Sequence, residues 1–98
     1  MWCRLTFVKF DPNKLDEGRR LFEEVGIPVI KTQKGNIDVL LLESANELGE
    51  AIALTSWETK EDADAYESSG TYRELVSKII HTHVRQPMLK QYEVKHKR

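Results

Sequence analysis

Apolar and polar positions alternate with two different periods along this chain, and the switches between them outline its elements. Trp2 to Phe10 has the period-two pattern of a strand: Cys3, Leu5 and Phe7 point one way, Trp2, Arg4, Thr6 and Val8 the other. The row containing Cys3 is the more apolar and is assigned to the helix-facing side. Asp11-Pro12 then opens a helix, with Asp11 as N-cap and Pro12 at the first helical position, where a missing N–H costs nothing. Leu15, Gly18, Phe22, Val25 and Val29 follow a spacing near 3.6, with Leu21 widening the face. Gly26-Ile27-Pro28-Val29-Ile30 admits two readings. The helix ends at Gly26 and Val29 to Thr32 is a strand, or a helix kinked at Pro28 runs to about Gln33 and closes at Gly35. The second is preferred, because Phe22, Val25 and Val29 keep the helical phase.

Ile37 to Ser44 is an apolar strand whose Val39-Leu40-Leu41-Leu42 run suggests burial on both faces. Residues 45–49 form a hairpin loop. Glu50 to Trp57 returns with Ala51, Ala53, Thr55 and Trp57 on one face and Ile52, Leu54 and Ser56 on the other. Thr59 with Asp62 resembles a capping box for a helix to about Ser68, and Thr71 with Glu74 repeats the signal. Tyr72, Leu75, Val76, Ile79 and Ile80 make one helical stripe, Pro87 follows its end, and Met88 to Lys95 alternates as a last strand. The order is β-α-β-β-α-β, an α+β, ferredoxin-like arrangement: a four-stranded antiparallel sheet with helices on one face. Its other face would expose Leu40 or Leu42, Ile52 and Leu54. A homodimer closed sheet to sheet through that open face is the simplest cover.

Ninety-eight residues make a single domain, 1–98, which buries roughly 65% of the surface its unfolded chain exposes. Residues 95–98 are a basic tail expected to be disordered. A formal net charge of −1 argues against a general nucleic-acid binder. No apolar run reaches the ~20 residues of a membrane span. The start of the chain has no signal pattern, and the single cysteine, Cys3, has no partner, so a cytoplasmic location is expected. Two histidines spaced as His81 and His83 are, without a third ligand, make a poor metal site, and no metal is expected.

The strand end Ser56-Trp57-Glu58, the acidic helix after it and the helix start Tyr72-Arg73-Glu74-Leu75, taken in this element order, resemble the antibiotic biosynthesis monooxygenase (ABM) domains. The resemblance runs from Trp2 to Val94. It implies a dimeric α+β barrel with a pocket between sheet and helices in each subunit, and in some members oxidation of phenols or quinols by molecular oxygen without a cofactor. Trp57 and Arg73 match a tryptophan and an arginine of those oxygenases and are the implied catalytic residues. Their pocket asparagine falls on Ala53 and their pocket tyrosine near Ala63. Tyr66 and Tyr72 could supply a phenol from neighbouring turns, and with Cys3 and Phe7 they are the expected substrate contacts. The haem-degrading members' histidine, asparagine and tryptophan fall on Val76, Cys3 and Tyr66, so haem is not expected, and His81 sits more than a turn beyond Val76.

Each site residue also has a plainer reading. Trp57 is either a pocket wall or a core residue under the helices. Arg73 either holds an anionic oxygen or pairs with Glu67 or Glu74 at the surface. Two functions follow. The first is a cofactor-free monooxygenase acting on a small phenol or quinol. The alternative is a non-enzymatic homodimer binding a small aromatic or apolar ligand.

Overall fold

The computed structural model covers residues 1–98. Strands β1 (Trp2–Lys9), β2 (Asn36–Glu43), β3 (Glu50–Trp57) and β4 (Met88–Glu93) form one sheet in the order β2-β3-β1-β4. All neighbours in it are antiparallel. Helices α1 (Leu15–Leu21), α2 (Ile27–Lys31), α3 (Lys60–Ser68) and α4 (Thr71–Ile79) cover one side. This is the expected ferredoxin-like α+β fold.

The first helical segment is continuous, as the helical phase of Phe22, Val25 and Val29 requires. Asp11 caps its 3-10 entry, Pro12–Lys14, by accepting from the Asn13 amide at 2.9 Å. Phe22–Gly26 forms a π turn between α1 and α2. The Ile27 amide reaches back to the Phe22 carbonyl, five residues earlier. A proline clashes with the carbonyl four residues before it. The widened turn immediately before Pro28 absorbs that clash without ending the helix. Thr59 caps α3 as expected, its hydroxyl accepting from the Asp62 amide at 3.1 Å. The expected Thr71 cap is corrected: Gly70, at φ 88°, is the N-cap of α4 and Thr71 is its first helical residue. Ser69 already engages the Thr71 hydroxyl at 3.0 Å.

The assignment of faces on β1 is also corrected. Arg4, Thr6, Val8 and Phe10 are buried beneath the helices, while Cys3, Leu5 and Phe7 lie on the opposite, open face. Register is the cause. Arg4, Thr6 and Val8 pair with Thr55, Ala53 and Ala51, the row that ends in the fully buried Trp57. A strand's side chains alternate strictly, so the face of Trp57 decides the face of Arg4. Cys3 therefore sits across from Ser56 and Tyr92, and the Phe7 ring meets the Lys90 ammonium at 5.7 Å.

The open face is apolar. Leu5, Phe7, Ile52 and Leu54 are half-buried within it, and Leu40, Leu42, Met88 and Tyr92 are exposed. On the other side the core falls into two clusters. Val8, Phe10, Leu15, Ala51 and Ile79 form one; Ile30, Trp57, Ala63, Tyr66 and Leu75 form the other. No helix is long and apolar enough to cross a membrane.

Gly18 lets α1 lie directly on the Phe10 ring, where a Cβ would overlap the ring edge. Gly18→Ala gains up to about 1 kcal/mol of helix propensity but overpacks this contact at a cost of about 1–3 kcal/mol. The variant is expected to unfold at lower urea concentration than the parent. A midpoint equal to or above the parent's would show that the helix does not rest on Phe10.

Candidate functional site

Between sheet and helices lies a partly open cavity of about 70 Å³. Arg4, Thr6, Val8 and Phe10 of β1 line its floor together with Ala53 and Thr55 of β3. Phe22 and Ile30 of the first helical segment, Tyr66 of α3, and Tyr72, Leu75, Val76 and Ile79 of α4 close it from above. His83 and Pro87, in the segment before β4, complete the wall. A cavity that holds benzene measures roughly 150 Å³. This one admits a ring only if its walls part.

The polar end is built around Arg4, which is 1% exposed. Its Nη1 donates to Glu67 Oε1 at 3.0 Å, Gln91 Oε1 at 3.4 Å and the Ala63 carbonyl at 3.5 Å. Its Nη2 is buried and has no hydrogen-bond partner. The guanidinium carbon lies 5.4 Å from the Tyr66 ring centroid and 5.1 Å from that of Tyr72. Small neighbours make this possible. Arg4 stands opposite Thr55, and Ala63, with no exposed surface, brings α3 close enough for its carbonyl to be reached. Burial pushes the ionisation of both tyrosines up, against the opposing pull of Arg4. They therefore stay neutral phenols. The only carboxylate on the guanidinium is Glu67, whose own side chain is 54% exposed.

Trp57 does not line the cavity. It stacks behind Tyr66, with ring centroids 5.1 Å apart and planes at 28°, and its indole N–H donates to Thr55 Oγ1 at 2.9 Å. In this arrangement it orients Tyr66 and has no free donor for a guest. Tyr72 meets Tyr66 edge-on at 5.9 Å, so both tyrosines named from the sequence come together with Trp57. Arg73 does not join them. It is exposed, in an outer groove of about 250 Å³ shared with Glu67, Tyr72, Val76, Gln86 and Pro87. Tyr72, Val76 and Pro87 line both spaces and separate them. Cys3 and Phe7, on the open sheet face, do not reach the cavity.

Two residues that sequence reasoning passed over lie within it. Arg4 carried a signal, since a charged residue in the middle of an apolar strand needs a reason. His83 was weighed only as half of a poor metal site. It pairs with Phe10 through an isolated bridge, its ring 5.1 Å from the Phe10 ring at 77°, and its Nδ1 is buried without a partner. Burial, then the nearby charge of His81, pulls its pKa below the usual histidine value. His81 faces outward and meets Glu17 at 2.7 Å. No three His, Cys, Asp or Glu side chains gather where a metal ion could be held.

A four-stranded ferredoxin-like sheet with helices on one face, and a partly open cavity that Arg4 lines between them, define an α+β domain. Residues 1–78 match the model of the antibiotic biosynthesis monooxygenase family, and the chain belongs to that family. Solved structures share the fold over nearly the whole chain. A protein from Nitrosomonas europaea named for the antibiotic biosynthesis monooxygenases is 14% identical, with a TM-score of 0.80 over 98% of this chain and 100% of its own. Rv0793 from Mycobacterium tuberculosis is 16% identical, with a TM-score of 0.80 over 98% of this chain and 96% of its own. A conserved protein from Methanosarcina mazei Go1 is 17% identical, with a TM-score of 0.79 over 97% and 94%. No curated protein is a match.

Two outcomes follow from the buried groups. Below the ordinary value of 6.5 the unfolded chain protonates His83 before the folded one does, so it binds more protons there. Stability then rises with pH from the lowered folded pKa up to 6.5. His83→Gln is expected to flatten that part of the melting-temperature profile; an unchanged slope would place the effect elsewhere. Arg4→Met replaces an imperfectly paired buried cation with an apolar chain of similar reach. Its charged partner, Glu67, is half exposed and stays solvated when the cation is removed, so the cost of about 3–5 kcal/mol for stranding a buried charge does not arise. Chemical denaturation should show no loss, and a loss of several kcal/mol would mean that the guanidinium is a structural keystone.

Proposed function

We propose that the chain is an ABM-type oxygenase that binds a small phenol or quinol in its cavity as the phenolate and oxidises it with molecular oxygen, without a cofactor. The observation that carries this reading is Arg4 Nη2, a buried cationic N–H left without an acceptor among aromatic walls. A phenolate oxygen would fill that vacancy. The positive charge would lower the phenol's pKa, so that it ionises on binding without a strong base. The ring then gives its electrons to oxygen. One oxygen atom enters at a ring C–H to make the quinone and the other leaves as water, so the substrate supplies all four electrons. Arg4 stabilises the charge where it develops. Tyr66 and Tyr72 flank the guest, Trp57 holds Tyr66 in place, and Arg73 in the outer groove attracts the acid. This moves the anion-binding role from Arg73 to Arg4.

The same reading includes a homodimer formed through the open sheet face, because Leu40, Leu42, Met88 and Tyr92 leave that face apolar and exposed. Leu54→Lys, at its centre, is expected to give a monomer by sedimentation velocity while the parent sediments as a dimer. A parent that stays monomeric at high concentration would remove this part.

Oxygen uptake with a panel of hydroquinones tests the chemistry. Arg4→Met is expected to lower kcat/KM about 100-fold or more, and Arg73→Met only several-fold. Equal product formation with and without oxygen would overturn the reading. Ala53 and Ala63, where cofactor-free oxygenases place an asparagine and a tyrosine, favour a second reading: the cavity binds a small acidic aromatic ligand without turning it over. A ligand that raises the melting temperature and consumes no oxygen would decide for it.

A further inference from the structure

Arg4 Nη2 and His83 Nδ1 are the chain's two buried side-chain polar atoms without a partner, and both residues line the same cavity. Native proteins leave few such atoms. Two of them in one cavity suggest a guest that completes both. They lie at its two ends. Arg4 is at the Trp57 end of β1, and His83 packs on Phe10, six residues further along, which is about 20 Å of extended strand. A guest that reaches both must run along several residues of β1. Between the ends the cavity lining is apolar, with Val8, Leu41, Leu75 and Ile79.

The two ends ask for different chemistry. A guanidinium only donates and carries a fixed charge, so its missing partner is an anionic oxygen. The imidazole Nδ1 accepts or donates according to tautomer, and a hydroxyl, which does both, matches either state. Residues 1–78 carry the family match, so His83 is a feature of this chain outside the matched pattern. Tyr72, Val76 and Pro87 border both the cavity and the outer groove, which gives a guest its way in between α4 and the 83–87 segment.

We infer that the cavity takes an extended, mainly apolar guest with an acidic oxygen at the Arg4 end and a hydroxyl at the His83 end. This rests on the cavity being the ligand site of the reading above, but not on any oxygen chemistry. In that reading the phenolate is the head at Arg4 and the hydroxyl belongs to a distal substituent.

The probes are a graded-length series of ω-hydroxy alkanoates, each beside the plain alkanoate and the diol of equal length, measured by calorimetry and thermal shift on the full chain. An optimum length is expected, at which the hydroxy acid binds about tenfold more tightly than the plain acid, the equivalent of one hydrogen bond. His83→Phe should erase that advantage and keep the plain acid's affinity. Arg4→Met should abolish binding of both acids. Should His83→Phe fail to fold, the imidazole nitrogen shifts of the parent serve instead: the hydroxy acid should move the Nδ1 resonance and the plain acid should not. Equal affinity of hydroxy and plain acids at every length overturns the proposal, as does an advantage that survives His83→Phe, or no binding by any probe. None of these probes has an oxidisable ring, so the result is independent of turnover. Two-ended binding without phenol oxidation would sink only the oxygenase, and oxidation without two-ended binding would sink only this inference.

Discussion

A guanidinium enclosed between a sheet and its helices must find partners on every side, and the arrangement around Arg4 is what the helix-facing half of this molecule is organised to provide. Moving a cation out of water costs several kcal/mol even after relaxation. Against that stand one charge-assisted bond to Glu67, of about 1.5–3 kcal/mol, weaker contacts to Gln91 and the Ala63 carbonyl, and two aromatic faces worth up to about 2 kcal/mol each when desolvated. These contacts offset much of the cost, but they engage Nη1 and the π faces and leave Nη2 open. A neutral residue would fold there more simply. In the proposed reading that incomplete solvation is the binding device.

The fold was legible because its signals are local and agree with one another. Asp11-Pro12, the Thr59 cap and the stripe from Tyr72 to Ile80 each specify an element without reference to anything distant. The segment at Pro28 was legible from phase, although the π turn that relieves the proline was not, since nothing in composition marks a carbonyl shifted by one residue. The faces of β1 were misjudged because local hydrophobicity favours the row of Cys3, Leu5 and Phe7. The deciding constraint is the pairing of Arg4 with Thr55 and Gln91, which is long-range. The site suffered from the same blind spot. Tyr66 and Tyr72 were named singly, as phenols from neighbouring turns; their edge-on contact appears only once α3 and α4 pack together. Arg4 and His83 needed the register of β1 and the return of the chain past Phe10.

Both faces of β1 carry something the protein needs. Period-two alternation sends Arg4, Thr6 and Val8 into the cavity and Leu5 and Phe7 onto the apolar face opposite. Any partner that covers the open face therefore braces the cavity floor directly. The border shared by cavity and outer groove, at Tyr72, Val76 and Pro87, lies on the helical side, away from that floor.

The two alanines at the positions where the resemblance to cofactor-free oxygenases implies polar pocket residues are part of the same arrangement. Ala63 has no exposed surface and lies where α3 comes closest to Arg4. A tyrosine at that position would push the helix off the sheet and take away the carbonyl that Nη1 reaches. Tyr66, three residues later on the same helical face, supplies the aromatic ring instead and leans on Trp57 to hold it. Ala53, paired with Thr6 on the cavity floor, leaves space where a larger amide would stand across the cavity. The two small residues and the buried arginine thus belong to one packing arrangement. In the proposed reading the aromatic framework around Trp57 is kept, and the charge that meets a guest stands on the cavity floor at Arg4 and not on α4 at Arg73.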